Sequence, residues 1–223
     1  MKIDINNIKS IIFDMDGVIF DTELVYLEIW SKVFEKYGYK LQKEVYAEVL
    51  GTGRENVKKV FLNNYGNELP IDKMYREKDE DLEKTVDKGI PLKQGAYEIL
   101  SYLKNNNYKI ALATSASKET ALKQLRYADI EKFFDVIVSR DDVKETKPNP
   151  DIFLKAAKKL NVNPNECIVI EDSSAGIKAA FNAGMAGIHV VDLKEPDNEI
   201  IRNCYKSFNN LNDIRKEIEM LRG

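Results

Sequence analysis

The residues best suited to chemistry are acids that follow short apolar segments of the chain. Asp14 and Asp16 come directly after one such segment, and Glu171 and Asp172 follow another. Carboxylates crowded at the end of a buried strand repel each other unless something neutralises them. The usual partner is a hard divalent cation with oxygen ligands. The pattern therefore predicts a cation site built from acids.

A simpler interpretation of the first acidic segment is a capped turn into the next helix. Asp21 and Thr22 are residue types that cap helix N-termini, and Gly17 permits the tight turn before them. Asp14 and Asp16 exceed what a cap requires. We expect Asp21 and Thr22 to be structural, whereas the two earlier acids remain candidates for chemistry.

Two weaker signals involve hydroxyl groups and a lysine. Thr114 and Ser115 end a third apolar run, Ser117 is a candidate N-cap of the following helix, and Lys147 precedes Pro148 in a stiff loop. Serine and threonine cap helices in most proteins, and a lysine is usually solvated. Neither the hydroxyl residues nor the lysine would indicate a functional site alone. They become candidates because they occur together with the acids.

The elements that must position these residues are buried parallel strands, because the apolar runs are short, unalternating and rich in branched residues. The predicted strands are Ser10–Phe13, Tyr108–Ala113, Cys167–Ile170 and Ala186–Val191, with Val136–Ser139 as a weaker fifth. Helical patterns between them predict an open α/β sheet with right-handed crossovers. Such sheets bind ligands beyond the carboxyl ends of their strands. The acids, the hydroxyl groups and the lysine should therefore meet at one edge.

One long stretch breaks the alternation of strand and helix. From Thr22 to about Leu92 the sequence shows only helical patterns, which are Leu24–Tyr37, Lys43–Leu50, Glu55–Tyr65 and Ile71–Val86. This stretch is too long for a single crossover. We therefore predict a Rossmann-like parallel-sheet core from residues 1–21 and 92–223, with residues 22–91 inserted as an all-helical cap domain.

Composition excludes several classes of partner. The 223 residues carry 34 basic and 37 acidic side chains, for a formal charge of −3, so no electrostatic footprint for nucleic acid or an anionic membrane is present. No apolar run is long enough to span a bilayer, the N-terminal residues do not resemble a secretory signal, and the 2 cysteines have no metal-binding spacing. We expect a reduced, cytoplasmic, monomeric protein that acts on a small molecule.

Taken in chain order, the motifs resemble those of a known family. DMDGVIFDTE, the strand that ends in Thr114, the pair Lys147–Pro148 and IEDSSAGI are similar to the four motifs of the haloacid dehalogenase-like superfamily. The resemblance is greatest to the phosphatases and β-phosphoglucomutase-like enzymes that carry a helical cap after the first motif. It extends from Ile11 to about Val191. The first and fourth motifs are highly specific, whereas the middle two gain weight from order and spacing.

The resemblance implies a role for each acid. Asp14 would be the nucleophile that forms an aspartyl-phosphate. Asp16 would protonate the leaving oxygen and later take a proton from the hydrolytic water. Magnesium (Mg2+) would be held by the Asp14 carboxylate, the Asp16 backbone carbonyl and Asp172, with Glu171 acting mainly through water or through its neighbours.

The resemblance also assigns the phosphate-binding residues. Thr114, Ser115 and Lys147 would bind the transferring phosphoryl group and offset its charge. Asp16 argues against dehalogenation, because dehalogenases of the superfamily lack an acid at this position.

The cap should choose the substrate, and here the resemblance is thinner. Gly51 and Arg54 match a cap loop that approaches the substrate, and Lys78 matches a cap lysine that meets phosphate. β-Phosphoglucomutases carry a histidine on the first cap helix, where this chain has Tyr26. The single histidine, His189, lies in an apolar run and is expected to be a satisfied buried residue.

These departures favour one activity over another. We expect a magnesium-dependent phosphatase of a small phosphorylated metabolite, such as a sugar or polyol phosphate. The alternative is a β-phosphoglucomutase-like phosphotransferase, which shares the aspartyl-phosphate. A signalling receiver domain has similar acids but is shorter and lacks the helical insertion. A non-catalytic phosphosugar-binding protein would not need the complete set of acids.

Overall fold

The computed structural model describes residues 7–50, 52–193 and 195–222, and the chain divides into two compact units. The core unit consists of Met1–Asp21 and Pro91–Gly223, and the helical unit consists of Thr22–Ile90. The return to the core thus lies one residue earlier than the sequence patterns suggested.

The core unit is built on a parallel sheet of six strands. The strands are β1 (Ser10–Phe13), β2 (Lys109–Ala113), β3 (Val136–Val138), β4 (Cys167–Glu171), β5 (Ala186–Val190) and β6 (Lys206–Phe208). Their order is β3-β2-β1-β4-β5-β6, and every neighbouring pair is parallel. The predicted Rossmann-like α/β class is therefore confirmed.

The helices of the chain have the following bounds. They are α1 (Thr22–Lys36), α2 (Lys43–Val49), α3 (Arg54–Tyr65), α4 (Ile71–Lys88), α5 (Ala96–Asn105), α6 (Lys118–Tyr127), α7 (Asp151–Leu160), α8 (Ser174–Asn182), α9 (Asn198–Asn203) and α10 (Leu211–Arg222). Among the described residues, none of these helices is long and apolar enough to cross a membrane.

The central position of β1 in the sheet brings together the candidate residues that follow β1, β2 and β4. All four β1 residues are buried, and Phe13 lies opposite Leu112 of β2 and Ile170 of β4. The next backbone N–H, that of Asp14, donates to the Ile170 carbonyl at 3.0 Å. Thr114 continues β2 in the same way. Because these strands are parallel and in register, their carboxyl ends form one continuous edge.

Side-chain caps begin the helices that leave this edge. Ser117 accepts the backbone N–H of Thr120 at 3.2 Å at the start of α6, which confirms its predicted capping role. Ser173 accepts the N–H of Gly176 at 3.0 Å at the start of α8. Each hydroxyl satisfies one amide that a helix N-terminus leaves unpaired, so the turns between strand and helix are fixed in position.

The helical unit has its own aromatic core. Trp30 of α1 contacts Phe61 of α3 and Tyr75 of α4 edge to face, with ring centroids 5.2 and 4.9 Å apart. Phe34 adds a further edge-to-face contact to Phe61 at 5.1 Å. Such pairs each add about 0.5–1.5 kcal/mol beyond area burial. The described part of this unit contains α1 to α4 and no strand of the sheet.

The C-terminal part of the sheet did not stand out in the sequence. The sequence patterns gave no strand after Val191, whereas the structure adds β6, which pairs with β5. Lys206 and Ser207 of β6 are exposed, and the strand is only three residues long. A short, polar edge strand carries almost no hydrophobic signal, which is the physical reason that it was missed.

Candidate active site

A buried lysine lies at the centre of the carboxyl edge of the sheet. Lys147 Nζ donates to Asp14 Oδ1, to Glu171 Oε1 at 2.7 Å and to the Ala113 carbonyl at 3.2 Å. Its side chain is only 7% exposed, as little as that of a core residue. The sequence suggested a solvated lysine if it was considered alone. The structure instead gives it two carboxylate partners on β1 and β4.

Glu171 is held on both of its oxygens. Oε1 accepts from Lys147, while Oε2 accepts the backbone N–H of Ser173 at 2.7 Å and its hydroxyl at 2.9 Å. The first turn of α8 also passes close to this carboxylate, since a Cβ on Gly176 would lie 1.8 Å from Oε1. Glu171 is thus a fixed anchor for Lys147, and the indirect role expected of it at the metal stays a prediction.

We expect Gly176→Ala to lower stability by about 3 kcal/mol, because the added methyl group overlaps a buried carboxylate that cannot retreat from its partners. Urea unfolding of the metal-free protein measures the change. Gly53→Ala is the matched control, since a Cβ there meets nothing within 4 Å and the φ of −74° suits alanine. Equal urea midpoints for the two variants would show that the Glu171 side chain can shift to make room for the methyl group at no cost in stability.

Three carboxylates form a cluster of the size that a cation requires. Asp14, Glu171 and Asp172 each offer an oxygen, and these oxygens lie within 4.8 Å of one another. Asp172 also packs over the turn after β1, where a Cβ on Gly17 would lie 2.3 Å from its Oδ2. Buried acids with hard oxygen donors fit Mg2+. The carboxylate oxygens of this cluster are therefore suitable ligands for the expected magnesium ion.

Burial opposes ionisation of these acids when no metal is bound. It raises the pKa of Asp14 to about 7, although Lys147 acts in the opposite direction, and it raises the pKa of Asp16 to about 6. The pKa of Asp172 is also raised well above its usual value by burial, with Glu171 and Asp14 adding repulsion. A bound cation must displace protons from this cluster, so its affinity should fall as the pH falls.

Lys147 and Glu171 stay charged despite their burial. Burial acts to lower the pKa of Lys147, but Asp14 and Glu171 raise it, with a net shift above the ordinary lysine value. Burial acts to raise the pKa of Glu171, but Lys147 and the donors of Ser173 bring it below its usual value. Lys147 and Glu171 therefore form a buried ion pair, with the positive group directed at Asp14.

Asp16 is close enough to the carboxylate cluster for its charge to raise the pKa of Asp14. Among the described residues, the group that could hold an ion does not include its side chain. The chain turns sharply here, with Gly17 at a φ of +72° and its N–H donating to the Phe20 carbonyl at 3.0 Å. The expected roles of Asp16, as acid/base through its side chain and as metal ligand through its carbonyl, stay predictions.

The hydroxyl residues differ in their surroundings. Thr114 is fully buried, and its Oγ1 accepts the N–H of Ala116 at 3.0 Å. Ser115 follows it and is exposed. Both residues lie at the same edge as Lys147, and their phosphate-binding roles also stay predictions.

A second buried ion pair was missed by the sequence analysis. Lys93 Nζ donates to Asp192 Oδ1, and the two side chains are 14% and 10% exposed. Asp192 Oδ2 is buried without a hydrogen-bond partner among the described residues, and a Cβ on Gly17 would lie 3.2 Å from it. Asp192 follows β5, so the strand-end rule applied to the other strands would have found it.

His189 is a satisfied buried residue, as expected. Its ring is fully buried in β5, with Nδ1 2.6 Å from Ser207 Oγ and Nε2 3.1 Å from the Asp172 carbonyl oxygen. Burial lowers the pKa of its imidazole. The neutral ring therefore ties β5 and β6 to the turn that carries Asp172, rather than acting as an acid or a base.

The cap residues that were expected to meet substrate belong to the helical unit. Gly51 lies outside the described residues. Arg54 begins α3 and Lys78 lies within α4, and both line one pocket of that unit. Tyr26 lines the same pocket.

Comparisons with known proteins identify a family and several relatives. The family described as haloacid dehalogenase-like hydrolases matches residues 11–190 of the chain. A phosphorylated carbohydrates phosphatase of Thermotoga maritima is 34% identical over 183 residues, which cover 82% of this chain and 85% of the relative. A β-phosphoglucomutase of Bacillus subtilis is 36% identical over 190 residues, 82% of this chain and 83% of the relative.

Solved structures give a similar result. The crystal structure of a β-phosphoglucomutase from Clostridium difficile is 29% identical, with a TM-score of 0.66 over 96% of this chain and 98% of its own. The names of these three proteins are those of a phosphatase of phosphorylated carbohydrates and of β-phosphoglucomutases, and the matches cover between 82% and 96% of this chain.

Proposed function

The chain belongs to the haloacid dehalogenase-like hydrolases, and we propose that it is a magnesium-dependent phosphatase of a small phosphorylated metabolite, such as a sugar or polyol phosphate. The observation that carries the proposal is the buried Lys147 between Asp14 and Glu171, next to Asp172. A nucleophile, a fixed cation and spare metal-binding carboxylates are what phosphoryl transfer to an aspartate requires.

Asp14 is the proposed nucleophile. Its carboxylate oxygen attacks phosphorus, the bond from phosphorus to the ester oxygen breaks, and Asp16 gives that oxygen a proton. In the second step Asp16 takes a proton from water as the water attacks the aspartyl-phosphate. Inorganic phosphate leaves, and both aspartates return to their starting states.

A carboxylate approaches an anionic phosphate only if positive charge lies close by. Lys147 supplies one such charge at Asp14 itself, and it stays charged because two acids surround it. A magnesium ion held by Asp14, Asp172 and the Asp16 carbonyl would add a Lewis acid that offsets the charge of the phosphoryl oxygens. Thr114 and Ser115 would hold those oxygens at the end of β2.

Hydrolysis is favoured over a mutase reaction by the residues around the cap pocket. Tyr26 stands where β-phosphoglucomutases carry a histidine, and the one histidine of the chain is engaged in β5. A β-phosphoglucomutase-like phosphotransferase is the alternative, because a relative of 36% identity bears that name. The two reactions differ in whether water or a sugar hydroxyl accepts the phosphoryl group.

A screen over sugar and polyol phosphates, with and without Mg2+, tests the proposal. We expect inorganic phosphate to be released from at least one ester, and chelation of the metal to reduce the rate by more than about a hundredfold, since the buried charges then lack their counterion. Isomerisation of a hexose phosphate that depends on a priming bisphosphate, with little phosphate release, would instead establish the mutase. No turnover of any ester in the presence of Mg2+ would refute both.

A further inference from the structure

One buried carboxylate oxygen of the core unit has no role in the chemistry described so far. Asp192 follows β5, its side chain is only 10% exposed, and its Oδ1 accepts from Lys93 Nζ. Its other oxygen, Oδ2, is buried without a hydrogen-bond partner among the residues that the structure describes. Buried polar atoms are normally hydrogen-bonded, so the direction of Oδ2 indicates where a donor is expected.

This oxygen faces the proposed metal ligand Asp172. A Cβ on Gly17 would lie 2.3 Å from Asp172 Oδ2 and 3.2 Å from Asp192 Oδ2. The two oxygens, which follow the neighbouring strands β4 and β5, can be no farther apart than the sum of these distances. A water molecule that donates to two oxygens, with hydrogen bonds of about 2.8 Å each, spans up to about 5.6 Å. One water can therefore connect Asp172 with Asp192.

The groups on either side of Asp192 are held in place within the core unit. The backbone N–H of Lys93 donates to the Ile19 carbonyl at 2.9 Å, so the lysine is fixed to the segment that follows β1. His189, three residues before Asp192, has its Nε2 3.1 Å from the Asp172 carbonyl oxygen, which ties β5 to the turn that carries Asp172. Oδ2 therefore has little freedom to turn away from Asp172.

An acceptor at this place suits the hydration of magnesium. Mg2+ bound by a protein usually keeps several of its waters, because the ion gives them up reluctantly, and the hydrogens of those waters need acceptors. The Lys93–Asp192 pair is neutral as a whole. It can thus supply an acceptor without adding net negative charge beside the cluster of Asp14, Glu171 and Asp172.

We propose that Asp192 is a positioning residue of the metal site, whose Oδ2 accepts a hydrogen bond from water in the hydration shell of the magnesium ion while Lys93 holds Oδ1. The inference rests on the proposed function, which includes dependence on magnesium. It adds a residue after β5 to a site whose proposed ligands follow β1 and β4. Outer partners of this kind typically contribute about 10- to 100-fold in metal affinity.

Asp192→Asn changes this oxygen and little else. Because a lysine has no acceptor, the asparagine directs its carbonyl oxygen to Lys93, and its amide nitrogen takes the place of Oδ2. The shape of the side chain is kept, but a donor now faces Asp172. We expect the Kd of Mg2+ to rise by at least about tenfold, measured by isothermal titration of the metal alone into the metal-free, full-length protein.

Lys93→Gln separates the proposed role from that of an ion pair alone. Glutamine keeps a donor for Oδ1 and leaves Oδ2 unchanged, but it removes the positive charge. If Asp192 mattered only through its ion pair with Lys93, both variants would weaken Mg2+ binding alike. The proposed role predicts that Lys93→Gln binds Mg2+ at least as tightly as the wild type, because a cation near the site is lost.

Asp135→Asn is the matched control for the loss of one acid. Its carboxylate also pairs with a lysine, Lys104, but it precedes β3 and so lies at the opposite edge of the sheet. We expect its Kd for Mg2+ to equal that of the wild type.

Three results would overturn the inference alone, provided that the wild type binds Mg2+. They are an unchanged Kd in Asp192→Asn, an equal weakening in Lys93→Gln, and an equal weakening in Asp135→Asn. A wild-type protein that binds no Mg2+ would overturn the inference together with the metal-dependent mechanism. Failure of the proposed function alone appears differently, as a wild-type protein that binds Mg2+ but releases phosphate from no ester.

Discussion

Asp14→Asn is expected to lower phosphate release by more than about a hundredfold, because the amide oxygen is a poor nucleophile and no other carboxylate can take its place. Glu171 is bound on both oxygens, and Asp172 follows a different strand. The substitution preserves the shape of the side chain and an acceptor for Lys147. The loss should therefore fall on the rate of the chemical step, measured as kcat for the best substrate of the screen.

A second measurement separates a lost nucleophile from a damaged site. Acid-quenched wild-type enzyme should carry phosphate on the peptide that contains Asp14, and the variant should not, whereas both should retain substrate binding. Asp141→Asn is a suitable control, since this exposed acid lies after β3 and its carboxylate accepts a hydrogen bond from the backbone N–H of Lys118. Wild-type turnover by the Asp14→Asn protein would eliminate the covalent mechanism.

The sequence was most informative where a residue follows a buried strand. The apolar runs of β1, β2 and β4 predicted their own places in a parallel sheet, and parallel strands in register bring their carboxyl ends together. Asp14, Thr114 and Glu171 could therefore be assigned to one edge from the sequence alone. The helical insertion was equally visible, because about seventy residues without a strand pattern do not fit a crossover.

The sequence was less informative about charge, because burial and pairing depend on residues far apart in the chain. Lys147 pairs with partners 133 and 24 residues away, so its burial could not be inferred from its neighbours in the sequence. The same holds for Lys93 and Asp192, which are 99 residues apart.

The charged residues of α4 between Lys78 and Lys84 show, at shorter range, that the sequence does not reveal which charges are buried. A run of charges on a helix is usually a solvated face, and Asp81 and Lys84, whose side chains are 49% and 66% exposed, fit that pattern. Lys78 is instead largely buried against Asp79. The packing of α3 beside α4 brings Arg54 to the same carboxylate. That contact between helices, and not the sequence of α4, shows that Lys78 and Asp79 line a pocket. Helical periodicity alone does not specify which neighbour covers which face.

Lys147→Met is expected to destabilise the metal-free protein by about 3–5 kcal/mol, because removal of one member of a buried charge cluster leaves the others without a partner. The methionine fills a similar volume, so the loss reports charge and hydrogen bonding rather than a cavity. Asp14 and Glu171 would then repel each other across the end of the sheet. Activity should fall by more than about a hundredfold as well, since the phosphoryl charge loses its fixed counterion.

The destabilisation should depend on pH in a defined direction. Burial already raises the pKa of Asp14 to about 7, and the loss of Lys147, which acts to lower it, raises it further. A carboxyl with a raised folded-state pKa binds more protons when folded than when unfolded, so its penalty is absent below about pH 4, grows with pH and levels off above the folded-state pKa. The wild-type penalty levels off at about pH 7, whereas the penalty in the variant, whose pKa is higher, keeps growing above that pH. The gap between wild-type and variant unfolding free energies should therefore widen between about pH 5 and pH 8, measured in urea with chelator present.

Two comparisons make this outcome specific to the buried cluster. Lys178→Met removes a partner of Glu199 from an exposed pair on α8 and should change stability little at either pH. Mg2+ should recover part of the stability lost in Lys147→Met at about pH 8, because a cation at Asp14 and Asp172 replaces some of the missing positive charge. The wild-type and Lys147→Met proteins could instead differ in unfolding free energy by the same amount at both pH values, with or without Mg2+. In that case Lys147 contributes to stability only through packing. The positive charge that the mechanism places beside Asp14 would then have to come from elsewhere.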